Sequence, residues 1–137
     1  MKNKFFVFDT NTLISASIAY TSNPKKAVDK ARRVGKLLFS NETLNELSLV
    51  LMRRKFDKYI SLEDRLVYLQ RVEKEATIRV TTSNFTDCRD VKDNIFLNLA
   101  FDWNAECIIS GDTDLLILNP FKEIPIITPT QFLEQYS

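Results

Sequence analysis

Residues 5–14 read FFVFDTNTLI, an apolar run that stops at Asp9-Thr10-Asn11 and resumes at Leu13 and Ile14. A short, continuous apolar run rich in Phe and Val fits a strand of a parallel sheet covered on both faces, so Lys4 to Phe8 is expected to be a buried strand. Asp9 then stands at its carboxyl end. No glycine turn accounts for an acid in that position.

The same kind of run recurs along the chain. Residues 37–40 (LLFS), 77–80 (TIRV), 106–110 (ECIIS) and 124–127 (IPII) read as further short strands. Helical patterns separate them. Asn23-Pro24 reads as an N-cap followed by proline, opening a basic helix to about Val34 that Gly35 closes. In the segment from Asn41 to Lys55, Leu44, Leu47 and Leu51 recur at helical spacing. Ser61 with Asp64 resembles a capping box that starts a helix to about Ala76. A helix from Asp90 or Lys92 carries the stripe Phe96, Leu99, Ala100 and Trp103. A short helix covers roughly 113–118, and Thr128-Pro129 with Gln131 caps a terminal one. Strands alternating with single helices or helix pairs predict an α/β fold in one domain, 1–137, with a central, mostly parallel sheet flanked by helices on both faces.

Composition narrows the chemistry. The 137 residues are 45% hydrophobic and 27% charged, as in an ordinary globular protein, and no apolar stretch reaches the about 20 residues of a membrane span. The opening residues lack a small-residue cleavage site, which argues against a secretory signal and for the cytoplasm. There is no histidine, and Cys88 and Cys107 form no CxxC pair, so His-based zinc sites and imidazole bases are excluded. Carboxylates are left to carry any catalysis. Net charge is +1, yet residues 1–83 hold 16 Lys/Arg against 9 Asp/Glu and residues 84–137 hold 3 against 9. The split suggests a polyanion-facing surface in one half and an acidic site in the other, unless folding interleaves the two, or simply two solvated faces.

Ligands of such sheets bind beyond the carboxyl ends of the strands, where Asp9 and Asp112 are both expected. Glu46, at about 100° per residue, projects between Leu49 and Val50 rather than from a polar face. Asp93 extends the inward stripe of its helix one turn back. Four acids converging at one sheet edge repel one another unless protons or a cation neutralise them. All-oxygen ligands suit a hard ion, Mg²⁺ or Mn²⁺, and with it hydrolysis of phosphodiesters. Each acid also fits a plainer role. Asp112, Asp93 and Asp90 could cap helices, the reading preferred for Asp90. Asp114 fits either a further ligand or a favourable charge in a first helical turn. Glu46 could be paired with a base. Thr10, Asn11 and Ser110 could position Asp9, water or phosphate, although Thr and Asn also favour turns. Lys25, Lys26, Arg32 and Arg33, with Arg53 and Arg54, could track a phosphate backbone or form solvated helix faces.

Asp9-Thr10-Asn11 after a strand, Glu46 in a mid-chain helix, Asp93 opening DNIFLNLA, and IISGDTDLL at 108–116 together resemble the PIN domain family in kind and order. The resemblance covers the whole chain and is strongest to the VapC-type toxins of bacterial toxin–antitoxin pairs. It implies that Asp9, Glu46, Asp93 and Asp112 bind Mg²⁺ or Mn²⁺ for endoribonuclease action on RNA, with Asp114 a further acid. It also implies a homodimer and a protein antitoxin as partner. Many members carry Thr where this chain has Ser110, which keeps the hydroxyl. Two alternatives remain. A haloacid-dehalogenase-like phosphatase also places an Asp after its first strand but wants a second Asp where Asn11 stands. A non-catalytic RNA- or protein-binding module would use the acids only as caps.

Overall fold

The computed structural model describes residues 3–136; residues 1, 2 and 137 of the expected 1–137 domain lie outside the described residues. Five strands form one sheet: β1 (Phe5–Phe8), β2 (Lys36–Phe39), β3 (Thr77–Ile78), β4 (Cys107–Ile109) and β5 (Ile126–Ile127). Their order is β3-β2-β1-β4-β5, and every pairing is parallel. Seven α-helices are described: α1 (Thr10–Ile18), α2 (Asn23–Val34), α3 (Asn41–Leu51), α4 (Leu62–Glu75), α5 (Asn94–Asp102), α6 (Thr113–Leu116) and α7 (Pro129–Gln135). This is the single α/β domain that the alternating pattern predicts.

The strands are apolar throughout because both faces are covered. Phe6 and Phe8 of β1, Leu37 and Phe39 of β2, Cys107 and Ile109 of β4 and Ile127 of β5 point to one face, joining residues of α1, α2, α3, α4 and α7. Val7, Leu38, Ile108 and Ile126 point to the other, against Phe96, Leu97, Leu99 and Ala100 of α5 and Leu115 of α6. The order of winding reverses about β1: β2 and β3 lie on one side, β4 and β5 on the other. The divergence between β1 and β4 opens a crevice at their carboxyl ends.

Several expected boundaries move, each for a local reason. The helix α1, which no pattern in residues 10–18 predicts, follows β1 directly, and Asp9 caps it, accepting the Thr12 N–H at 2.9 Å. The N-cap of α2 is Ser22 rather than Asn23, its hydroxyl accepting from Lys25. Ser61 caps α4 through Asp64, with no reciprocal bond from the Asp64 side chain, so the expected box is half formed. The helix α3 stops at Leu51 rather than Lys55. There the buried guanidinium of Arg65 takes the carbonyls of Leu51 and Arg53 and the carboxylate of Asp57, and the chain turns through a 3₁₀ segment at Arg54–Phe56. Trp103 does not join the buried stripe. It ends α5, half-exposed, and donates its indole N–H to the Val80 carbonyl at 2.8 Å. Pro125 has no N–H to give, and β5 begins only after it.

Gly35 closes α2 and passes so close to the chain before β1 that an added Cβ would sit 2.4 Å from the Lys4 carbonyl oxygen and 2.7 Å from a Phe6 ring carbon. Gly35→Ala is therefore expected to lower stability by about 1–3 kcal/mol, as measured by urea denaturation.

Candidate active site

The five acids reach the crevice from four places in the fold. Asp9 follows β1, Glu46 stands on α3, Asp90 and Asp93 flank and close the 3₁₀ turn Val91–Asp93, and Asp112 ends the turn after β4. The β1–β4 register sets Phe8 opposite Ile109, so the residues that follow, Asp9 and Ser110, come together. Asp9, Thr10, Asn11, Glu46, Asp90, Asp93 and Asp112 line one pocket of about 70 Å³, with Arg53 and Lys92 at its edge. Carboxylate oxygens of Asp90, Asp93 and Asp112 lie within 4.8 Å of one another.

The hydrogen bonds differ in a telling way. The Ser110 hydroxyl, fully buried, donates to Asp9 and accepts the Asp112 N–H at 2.9 Å. The Thr10 hydroxyl donates to Glu46 at 2.7 Å. Asp90 accepts the Lys92 N–H, and Asp112 accepts the Asp114 N–H at 2.9 Å. Four acids thus hold a donor, and three of them do so as caps: the plainer role and a place in the cluster coexist. Asp93 is different. It occupies the first position before α5 but makes no capping bond, and, with the carboxylates ionised, its buried Oδ2 has no donor to accept from among the described residues. A buried, unpartnered carboxylate oxygen facing two further carboxylates is costly unless a proton or cation meets it.

Burial, then a hydrogen bond with Asp112 that only a protonated carboxyl can give, then the charges of Asp112, Asp90 and Asp9, push the Asp93 carboxyl up to about 8. Asp9 is also raised, chiefly by burial, which outweighs the lowering by its bonds from Ser110 and Thr12. The N-termini of α1, α5 and α6 meet the cluster and place partial positive charge there, which offsets part of the repulsion. The donor set consists of oxygens alone and includes an orphaned one, so it fits a hard divalent cation.

The remaining expected site residues are more dispersed. Asp114 turns to Arg89 in a two-pronged ion pair, 3.0 Å at each contact, and does not line the acidic pocket. Asn11 is exposed at the mouth of an adjoining cleft of about 840 Å³, which it shares with Asp9, Ser15, Asn23, Asp112 and Thr130. Lys25 and Arg32 are engaged by Asp29, and Arg32 also by Glu75, so they form part of the fold rather than a free basic track. Lys26, Arg33 and Arg54 are exposed. Of the six expected bases, Arg53 alone lines the acidic pocket. Asp90 and Lys92 were not singled out for this pocket. The signal for Asp90 was its position one turn before Asp93, which a cap also explains.

An acid whose carboxyl is raised in the folded chain binds its proton more tightly there, so stability falls as pH rises between the ordinary value of 3.8 and about 8. Above pH 5.5 the ordinary carboxylates are already ionised and leave this slope visible. The melting temperature in EDTA is expected to fall from pH 5.5 to 8, to recover on adding Mg²⁺ or Mn²⁺, and to lose most of its slope in Asp93→Asn. Thermal denaturation across that range checks all three.

A sequence profile of the PIN domain matches residues 6–114, a span that includes all the acids above. The chain is 31% identical over 147 residues to the uncharacterized protein MJ1680 of Methanocaldococcus jannaschii, covering 95% of this chain and 90% of that one. Its fold is similar to the crystal structure of PAE2754 from Pyrobaculum aerophilum, with a TM-score of 0.68 at 14% identity over 97% of this chain and 89% of the other. It is also similar to VapBC2 from Rickettsia felis, solved bound to a DNA fragment from their promoter, with a TM-score of 0.60 at 15% identity over 90% and 96%. Structural likeness at these identities speaks for the fold, while the profile speaks for descent and displaces the phosphatase alternative. The chain belongs to the PIN domain family, a nuclease fold whose members generally use divalent metal ions.

Proposed function

We propose that this protein is an endoribonuclease dependent on Mg²⁺ or Mn²⁺, that Asp9, Glu46, Asp93 and Asp112 are its catalytic carboxylates, and that it acts in the cytoplasm as the toxin of a toxin–antitoxin pair. The observation that carries the catalytic reading is the orphaned Oδ2 of Asp93, set among carboxylates that each have a donor of their own. Asp93 and Asp112 would hold the ion, with Asp9, Glu46 and Asp90 beside them. When bound, such an ion neutralises the acids, activates water and stabilises charge on the phosphoryl and leaving oxygens.

The protein's own groups do the positioning. Ser110 and the Thr12 N–H fix the Asp9 carboxylate, and Thr10 fixes that of Glu46, so neither rotates away from the pocket. Asn11, at the boundary between the acidic pocket and the open cleft, can hydrogen-bond a strand lying there. Arg53 and Lys92 at the rim attract phosphates, and the exposed Lys26, Arg33 and Arg54 extend the positive surface. The toxin role, with a protein antitoxin and a homodimer, rests on the resemblance of the motifs and on the likeness of fold to VapBC2.

Purified protein is expected to cut single-stranded RNA with Mg²⁺ or Mn²⁺ and not with EDTA. Asp9→Asn and Asp93→Asn should lose roughly 100-fold or more in rate while remaining folded, and Ser110→Ala, which removes a supporting hydroxyl, should lose about 10- to 100-fold. Cleavage that persists unchanged in folded Asp9→Asn and Asp93→Asn refutes the assignment. No cleavage by folded wild type with either ion favours the binding module. Expression of the wild type without a partner is expected to arrest bacterial growth, and expression of Asp93→Asn to leave it unaffected; growth curves decide.

A further inference from the structure

Arg89 is 84% exposed, yet its guanidinium is aligned on a partner. Nε and Nη2 each lie 3.0 Å from an oxygen of Asp114, a parallel two-pronged contact. The backbone beneath it is anchored. The preceding residue, Cys88, is buried, gives its N–H to the Asn94 side chain at 2.9 Å, and sets its thiol against the Asp114 carbonyl. The following residue, Asp90, belongs to the acidic cluster and caps the next turn. Arg89 is therefore fixed at its root next to a member of the acidic cluster, outside the lining of the acidic pocket, with its charged end in water. The charges of Asp90 and Asp112 reach it as well as that of Asp114.

That placement addresses a problem the site itself creates. Five carboxylates at one mouth repel a polyanion, so the approaching backbone needs cations that are close but not neutralised within the cluster. Arg53 and Lys92 border the pocket. Arg89 differs from them in being presented as a planar fork already aligned on two oxygens of an anion. A carboxylate and the two non-bridging oxygens of a phosphodiester offer that fork the same geometry. An ion pair as exposed as this one is weakly held and readily exchanged.

Resting on the ribonuclease reading above, we propose that Arg89 is a substrate-positioning residue that grips a backbone phosphate of the RNA beside the scissile one, with Asp114 as the resting partner that keeps its fork aligned until RNA displaces it. Asp114 is then a competitor for Arg89 as well as a neighbour of Asp112.

The test is fluorescence anisotropy with a labelled single-stranded RNA, using the full chain carrying Asp93→Asn so that binding is read apart from cutting, in EDTA and in Mg²⁺. Adding Arg89→Ala should weaken binding about tenfold or more and reduce the slope of log affinity against log salt by about 0.7. Arg89→Lys should keep the slope but recover only part of the affinity. Asp114→Asn, which removes the competitor, should tighten binding severalfold. A loop tether with no role in binding would lower the melting temperature in Arg89→Ala and leave the salt slope unchanged, which overturns the proposal. Should Arg89→Ala not fold, Arg89→Lys and Asp114→Asn decide it: affinity unchanged in both is refutation. In the cleavage assay on the otherwise native chain, Arg89→Ala should raise KM far more than it lowers kcat. Wild type that cuts RNA while Arg89→Ala keeps its KM refutes this assignment alone. Wild type that never cuts refutes the nuclease reading, and the anisotropy still decides whether Arg89 binds RNA.

Discussion

A single buried hydroxyl, that of Ser110, ties together the carboxyl ends of the two central strands. It donates to Asp9 and accepts the N–H of Asp112, so the ends of β1 and β4 share one hydrogen-bonded bridge. The register of the parallel ladder leaves no other arrangement: with Phe8 opposite Ile109, the next residue of each strand must meet the other. The apolar cores on both faces fix that register, because a slip by one residue would turn Phe6 and Phe8 to the wrong side. Packing energy thus holds negative groups where electrostatics alone would separate them. Helix N-termini, hydroxyl donors and rim cations are local accommodations to that constraint.

Asp93 shows where the accommodation stops. Asp9, Glu46, Asp90 and Asp112 each receive a donor from this chain, and Asp93 Oδ2 receives none. A site built only for stability would place an amide or a hydroxyl there. Leaving one oxygen unmatched concentrates the unfavourable free energy of the cluster at a single atom, which is how a site acquires affinity for something outside the chain.

The sheet was legible because its strands are short apolar runs covered on both faces, and the acids Asp9 and Asp112 were legible because each directly follows such a run. Glu46 was readable from its apolar flanks. By contrast, α1 was not: Thr10, Asn11 and Thr12 are poor helix formers, and the apolar residues Leu13, Ile14 and Ala16 are too few to show a period in nine residues. Trp103 lies at the expected helical interval, but the helix has ended and the backbone turns its ring toward Val80. Asp90 hid behind its own cap, since capping and cluster membership ask for the same residue. Folding interleaves the two oppositely charged halves at the pocket: Asp9, Glu46 and Arg53 from the basic half line it together with Asp93 and Asp112 from the acidic one. Nor does a run of bases in sequence reveal which of them already has a partner, as Lys25 and Arg32 do.

The central position of β1 has a consequence for a chain still being synthesised. β1 emerges first, but its partner β4 and the acid that follows it lie about a hundred residues later, and Glu46 and Asp93 come from stretches in between. Contacts of such long sequence separation form late, after the local helices. A ribosome-bound chain that has not yet delivered Ser110 and Asp112 holds Asp9 without its bridge and cannot assemble the acidic pocket. The acidic pocket is therefore withheld until the ribosome has delivered Asp112, whatever has already folded before it.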